Sequence, residues 1–217
     1  MTRINFIYEL EQLNKEFITL GRLLEQSIDM TVDAIDRLDK EIAKDVIERD
    51  DEFDAQEEKI TADCIELIVK QQPIAKDVRS VVATMRVSKE VEKMADHCET
   101  ICKYILMLCK EKEVETPEEL KKMIDVTKKM VLDVIENFIT KNLQTNKEIV
   151  DKEAEINEYF VRLRTNLIED MKENQSHIDQ NVDYLMIGRS MERMAIHAIN
   201  IAKWICYIVT GELASEQ

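Results

Sequence analysis

One stretch of this chain occurs twice, 100 residues apart, and that repeat limits the possible folds more than any other feature. Ser88–Ile105 and Gly188–Ile205 align without a gap. Glu92, Met94, Ala95, His97, Ile101, Lys103 and Ile105 meet the same residue types at Glu192, Met194, Ala195, His197, Ile201, Lys203 and Ile205. Seven identities in fourteen positions is more than shared composition produces. The chain therefore carries an internal duplication, and whatever one copy folds into, the other must fold into as well.

Both copies predict helix. Residues seven apart share one row of a helix packed in a bundle. One row runs Val78, Met85, Glu92, Glu99, Leu106 in the first copy and Ile178, Leu185, Glu192, Ile199, Cys206 in the second. A carboxylate interrupts each apolar row at the same place, and a buried carboxylate needs a partner. Asp96 follows Glu92 by one turn on the same side, where like charges repel by about 0.2–0.5 kcal/mol even on an exposed helix. A bound cation would reverse that sign, as would a Lys or Arg from another helix. The neighbouring row, Asn181, Gly188, Ala195, Ala202 and Val209, is mostly small and lets a second helix come close.

Three Gly and two Pro in 217 residues, few aromatics and abundant Glu, Lys, Leu, Ile and Met are the composition of long helices. A formal charge of −15 argues against nucleic acid and anionic membrane surfaces as partners, and against free phosphate as a tightly held ligand. It suits a cation binder or a protein that docks on a basic surface. Cys64, Cys98, Cys102, Cys109 and Cys206 are odd in number and sit inside helical patterns, as reduced core residues of a cytoplasmic protein do. Cys98 and Cys102, one turn apart beside His97, leave a thiolate metal site as an alternative. Met1 to Phe17 shows no apolar signal region. No stretch approaches the roughly twenty apolar residues of a membrane span, so no membrane insertion is expected.

The apolar spacing of Leu10, Leu13, Phe17, Leu20, Leu24, Ile28 and Ile35 predicts a first helix from Ile4 to Leu38. Asp39 is suited to cap a second, Lys40 to Lys70, which Gln71-Gln72-Pro73 stops. A third runs from Ala75 to Lys112. Thr116-Pro117-Glu118-Glu119 opens a fourth helix, to Lys141, with Thr as cap and Pro at the first helical position. Thr145 to Glu148 offers a capping box for a fifth, to Glu173. After a turn over Asn174–Asp179, a sixth helix ends near Thr210-Gly211. With the duplication, this predicts an all-α chain of two three-helix units, residues 1–113 and 114–217, packed side by side.

The second helix of each unit also carries acids near a core row. Asp50, Glu57 and Cys64 lie beside the row Val46, Phe53, Ile60, Leu67, and Asp54 flanks Phe53. Glu153 shares a row with Phe160 and Leu167, with Asn157 one turn on. Carboxylates projecting inward from facing helices are how bundles build metal sites. All-oxygen ligation suits magnesium, calcium, manganese and iron. The plainer alternative is a solvated acidic face. His97 and His197 are either satisfied, partly buried histidines or partners that orient a liganding carboxylate.

With these residues in view, the whole chain resembles the PhoU family of phosphate-transport regulators. The resemblance rests on a repeated E(D)-x-x-x-D motif. It appears here as Glu92 to Asp96 followed by His97, and as Glu192 to Ile196 followed by His197 and Asn200-Ile201-Ala202. The family's helix-two motif matches Asp50 to Asp54 and Glu153 to Asn157, and Gln72 to Arg79 resembles its turn into helix three. The resemblance implies two homologous antiparallel three-helix bundles and no enzymatic activity. It implies a cytoplasmic negative regulator of phosphate uptake, an adaptor between the ATPase subunit of a Pst phosphate ABC transporter and a PhoR-type histidine kinase. It implies a homodimer, and multinuclear clusters of iron, zinc, magnesium or manganese. Asp50, Asp54, Glu92 and Asp96 would hold one cluster, and Glu153, Asn157 and Glu192 the other. Ile196 stands where the motif has Asp, and Asn157 replaces an acid, so the expected sites are unequal and the first half is favoured.

A ferritin-like di-iron enzyme is the main rival with chemistry. It needs Glu-x-x-His pairs, yet Met94, Asn174 and Met194 stand three before His97, His177 and His197. No nucleophile–base motif or Gly-rich phosphate loop is present either. A metal-free helical scaffold shares the fold and differs only in what its acids do.

Overall fold

The computed structural model describes residues 2–110 and 115–212, with side chains from residue 4 onward. The elements are α1 (Thr2–Arg37), α2 (Lys40–Glu48), α3 (Asp50–Gln71), α4 (Ala75–Leu108), α5 (Glu118–Thr140), α6 (Leu143–Asp151), α7 (Glu153–Glu173) and α8 (Ile178–Thr210). A 3₁₀ turn, Gln175–His177, joins α7 to α8, and no strand occurs among the described residues. The predicted six-helix plan holds. The boundary expected between residues 113 and 114 lies outside the described residues.

The predicted second and fifth helices are each broken once, at Arg49 and Lys152. The residue there has φ −89°, ψ −3° in the first half and φ −78°, ψ −9° in the second, and its amide bonds three residues back, to Val46 and Ile149. Neither site has a Pro or Gly to signal the break. Packing accounts for it: α2 lies against both α1 and α4 and buries Ala43 and Val46. Asp39 caps α2 as predicted, accepting from the amides of Glu41 (2.9 Å) and Ile42 (3.3 Å). The corresponding cap in the second half is Asn142, accepting from Gln144 (2.9 Å) and Thr145 (3.4 Å). The helix there therefore starts ahead of the predicted Thr145 box. Thr116 does not cap α5 through its side chain; its hydroxyl lies 3.5 Å from Tyr184 Oη, and the cap position falls on Pro117. Gly211, at φ +83°, closes α8 in the left-handed conformation that suits glycine.

Within each half the third long helix, α4 or α8, is packed by all the others, and the broadest helix pair is α4 with α8. That pair is antiparallel. His97 meets His197 near the middle, and Arg79 at the start of α4 reaches Gly211 at the end of α8. Three adjacent rows of α4 are accordingly buried: Val81, Ser88, Ala95, Cys102; Thr84, Val91, Cys98, Ile105; and Val87, Met94, Ile101, Leu108. The Glu92 row lies at the edge of this face, with Met85, Glu99 and Leu106 only half-buried. The predicted close approach occurs at Gly188, where a Cβ would lie 2.5 Å from Leu163 Cδ2 of α7.

A second seam joins α1 to α5. Phe17 and Phe138 pack with ring centroids 4.4 Å apart and planes tilted by 50°, and Asp29 pairs with Lys128 at 2.6 Å. The apolar core is one continuous cluster through both halves. No helix among the described residues is long and apolar enough to cross a membrane.

Candidate functional site

The break at Arg49 starts α3 at Asp50 and turns its first residues towards α4. Asp50 then falls among carboxylates. Its pKa is pushed up to about 6, first by burial and then by repulsion from Glu99, Asp96, Asp54 and Glu92. The structure thus brings Asp50, Asp54, Glu92 and Asp96 into one region, as the motif spacing predicts. Sequence reasoning missed Glu99 as a member. The signal was available: Glu99 lies one heptad after Glu92, and an acid repeated in one row of a helix faces the same neighbour.

Glu92 is the most enclosed of the five, at 3% exposure. Its counter-charges come from its own helix rather than from another. Lys89 Nζ lies 2.9 Å from Glu92 Oε2, and Lys93 Nζ lies 3.1 Å from Oε1 and 2.6 Å from Asp96 Oδ2. The Lys89 contact is an ion pair without hydrogen-bond geometry, which leaves the buried Oε2 with no hydrogen bond. Lys103 pairs with Glu99 at 2.6 Å, and Glu57 accepts from Thr61 at 2.7 Å. Among the described residues no lysine pairs with Asp50. As the side chains stand, no group of three or more His, Cys, Asp or Glu residues among the described ones is gathered tightly enough to ligate one ion. What lies in this region is a set of carboxylates with excess negative charge around Asp50, and oxygen donors of this kind suit a hard cation.

The second half differs. Glu153 and Asn157 are exposed, and Glu192 is held by Arg189 of its own helix. Ile196 occupies the position equivalent to Asp96 and offers no oxygen. Where the first half concentrates charge, the second has spread or lost it.

The thiols belong to the core. Cys64, Cys98 and Cys102 are buried, and burial pushes each up to about 12, so they remain protonated near neutral pH. All five cysteines are free of disulfides. His97 is lowered to about 4, first by burial and then by repulsion from His197, and is neutral at pH 7.

Two homologous helical bundles, fused through their third helices and carrying one acidic cluster at the junction of helices two and three, define an all-α tandem-repeat protein. The chain belongs to the PhoU family: the PhoU domain model matches residues 17–105 and again residues 120–205. It is 28% identical over 213 residues to the phosphate-specific transport system accessory protein PhoU homolog of Clostridium acetobutylicum, covering 98% of this chain and 97% of that one. The homolog of the same description from Streptococcus pneumoniae serotype 4 is 29% identical over 211 residues, covering 97% and 98%. The crystal structure of the phosphate transport system regulatory protein PhoU from Streptococcus pneumoniae matches with a TM-score of 0.91 at 28% identity, over 97% of this chain and all (100%) of that one. PhoU from Pseudomonas aeruginosa shares the fold, at a TM-score of 0.91 and 24% identity.

Proposed function

We propose that this chain is a regulatory accessory protein of phosphate transport, a cytoplasmic negative regulator of phosphate uptake and starvation signalling rather than an enzyme. It acts as a homodimeric adaptor between the ATPase subunit of a Pst-type phosphate transporter and a PhoR-type sensor kinase. The observation that carries this reading is the match of both halves to one regulatory family, with relatives aligned over nearly their full length. The formal charge of −15 favours protein partners over DNA. The repeats divide as residues 1–113 and 114–217. Affinity capture from phosphate-replete cells should recover both the ATPase and the kinase. Deletion of the gene should leave starvation reporters active in phosphate-rich medium. Reporter expression unchanged by deletion would refute the regulatory role.

The acidic cluster is the metal-binding part of this proposal. Asp50, Asp54, Glu92 and Asp96, with Glu99 beside them, would hold one or more metal ions: iron, zinc, magnesium or manganese. Bound, such an ion supplies the positive charge that Asp50 lacks. Glu153, Asn157 and Glu192 form the weaker site. Manganese titration followed by melting temperature tests the inequality. Ile196→Asp should add binding in the second half and, without metal, lower the melting temperature, because it sets a carboxylate one turn from Glu192. A variant that binds and melts like the parent would remove the second site from the proposal.

The competing reading is a metal-free scaffold. Lys89 and Lys93 favour it, because they already supply counter-charge to Glu92 and Asp96. Elemental analysis of protein purified without added metal separates the two.

A further inference from the structure

Between the two halves lie two imidazoles, nitrogen donors rather than carboxylates. His97 on α4 and His197 on α8 face one another with ring centroids 5.5 Å apart and planes tilted by 39°. Nδ1 of His197 lies 2.6 Å from Glu90 Oε2, and the Asn200 side-chain amide donates to that same oxygen at 3.2 Å. A carboxylate oxygen accepts, so this contact puts a proton on Nδ1. Nε2 is then the ring nitrogen of His197 left to meet a metal. A carboxylate on the far ring nitrogen is what accompanies most metal-bound histidines, because it fixes the tautomer and raises the basicity of the ligating nitrogen. Neither ring nitrogen of His97 is engaged in a hydrogen bond among the described residues.

We propose that His97 and His197 form a two-histidine site for a borderline divalent cation, zinc above all, bridging the two halves with water completing the coordination. The spacing fits. With zinc–nitrogen bonds of about 2.0–2.1 Å, two rings on one tetrahedral ion have centroids a little over about 5 Å apart. Imidazole suits zinc, nickel and copper, whereas carboxylates suit harder ions such as magnesium and manganese, so the two donor types differ in the cations they prefer. The local charge is mixed: Glu90 and Asp96 favour a dication, while Lys93 and Arg193 oppose it. The site therefore binds more weakly than one with three protein ligands. The duplication explains its symmetry. Each motif copy carries His right after its fifth position, and antiparallel pairing of α4 with α8 delivers one imidazole from each half to the same point.

The chain has three histidines in all, which makes the test direct. Zinc is added to the metal-free, full-length protein, and the imidazole nitrogens are followed by long-range ¹H–¹⁵N correlation. Before zinc, His197 should show the Nδ1–H tautomer. Zinc should then shift one nitrogen of His97 and one of His197 together, saturating at one equivalent, with His177 unmoved. Magnesium at the same concentration should leave all three unchanged. Glu90→Gln should weaken zinc binding by about 10- to 100-fold, and His197→Gln should abolish the coupled shift at His97. Zinc that binds while leaving His97 and His197 unmoved, or that moves only one of them, would overturn the site, and the unsubstituted protein alone decides this.

Discussion

At neutral pH Asp50 must ionise among Glu99, Asp96, Asp54 and Glu92. Its folded pKa of about 6 lies above the ordinary 3.8, so the folded state binds the proton more tightly than the unfolded chain. The stability that protonation contributes is complete below about pH 4 and is lost as pH rises through 6. Asp50→Asn removes this loss. In the presence of a chelator, its melting temperature should equal the parent's near pH 4 and exceed it from pH 6 upward; a constant difference across that range would mean that Asp50 is not repelled. His97 works in the opposite sense. Its pKa of about 4 is below the ordinary 6.5, so its contribution is full above 6.5 and is lost as pH falls through 4. The parent's pH profile is therefore flatter than either group alone would make it. At this scale the placement of the first-half carboxylates near one another was legible, because motif spacing fixes which helix face each occupies. The lysines were not: i,i+3 partners such as Lys89 are compatible with many rotamers, and only packing selects one.

Among the elements, α5 and α6 are tied by a buried polar link with no counterpart in the first half. Asn146 Nδ2 donates to the Ala202 carbonyl at 2.8 Å, Asn137 Nδ2 approaches Asn146 Oδ1 at 3.4 Å, and Asn137 Oδ1 accepts the Asn142 amide at 2.9 Å. Aligning the caps Asp39 and Asn142 places buried Ala34 and Ala43 at the equivalent positions, and there the Ala34 carbonyl accepts the Asp39 amide at 3.0 Å. The first half thus shows an apolar solution to the same geometry. Asn137→Ala or Asn146→Ala alone should cost about 1–3 kcal/mol, because each strands buried polar atoms. The double variant should cost clearly less than the sum of the two in urea denaturation, whereas strict additivity would mean that the two asparagines do not interact. Gly188 sets the distance between α7 and α8. Gly188→Ala gains about 1 kcal/mol of helix propensity against an overpacking cost of about 1–3, because the buried Leu163 side chain must shift to make room for the added methyl. Gly188→Leu has no such offset and should lower the urea midpoint by much more than Gly188→Ala. The small-residue row predicted this contact. The breaks at Arg49 and Lys152 had no sequence signal, because they arise from where neighbouring helices lie and not from a residue that cannot be helical.

For the molecule as a whole, the decisive feature is that α4 and α8 pair more broadly with each other than with any helix of their own half, within one continuous core. The duplication was legible in the sequence, but this extent of fusion was not: identical apolar rows suit two independent bundles as well as one shared interior. A consequence follows for the covalent chain itself. If each half presents to the other the surface that an identical neighbour would present, the peptide linking them is a convenience of synthesis more than a structural tie. The molecule has the form of a dimer whose subunits were joined end to end and then allowed to diverge. Residues 1–113 and 114–217, produced as separate polypeptides, should therefore find each other in solution and assemble one-to-one, with the helical content of the intact chain. Each piece alone would expose the long apolar face of α4 or α8 and should self-associate or aggregate. Two fragments that both stay monomeric when mixed would show that continuity of the backbone, and not the shared interior, holds the halves together.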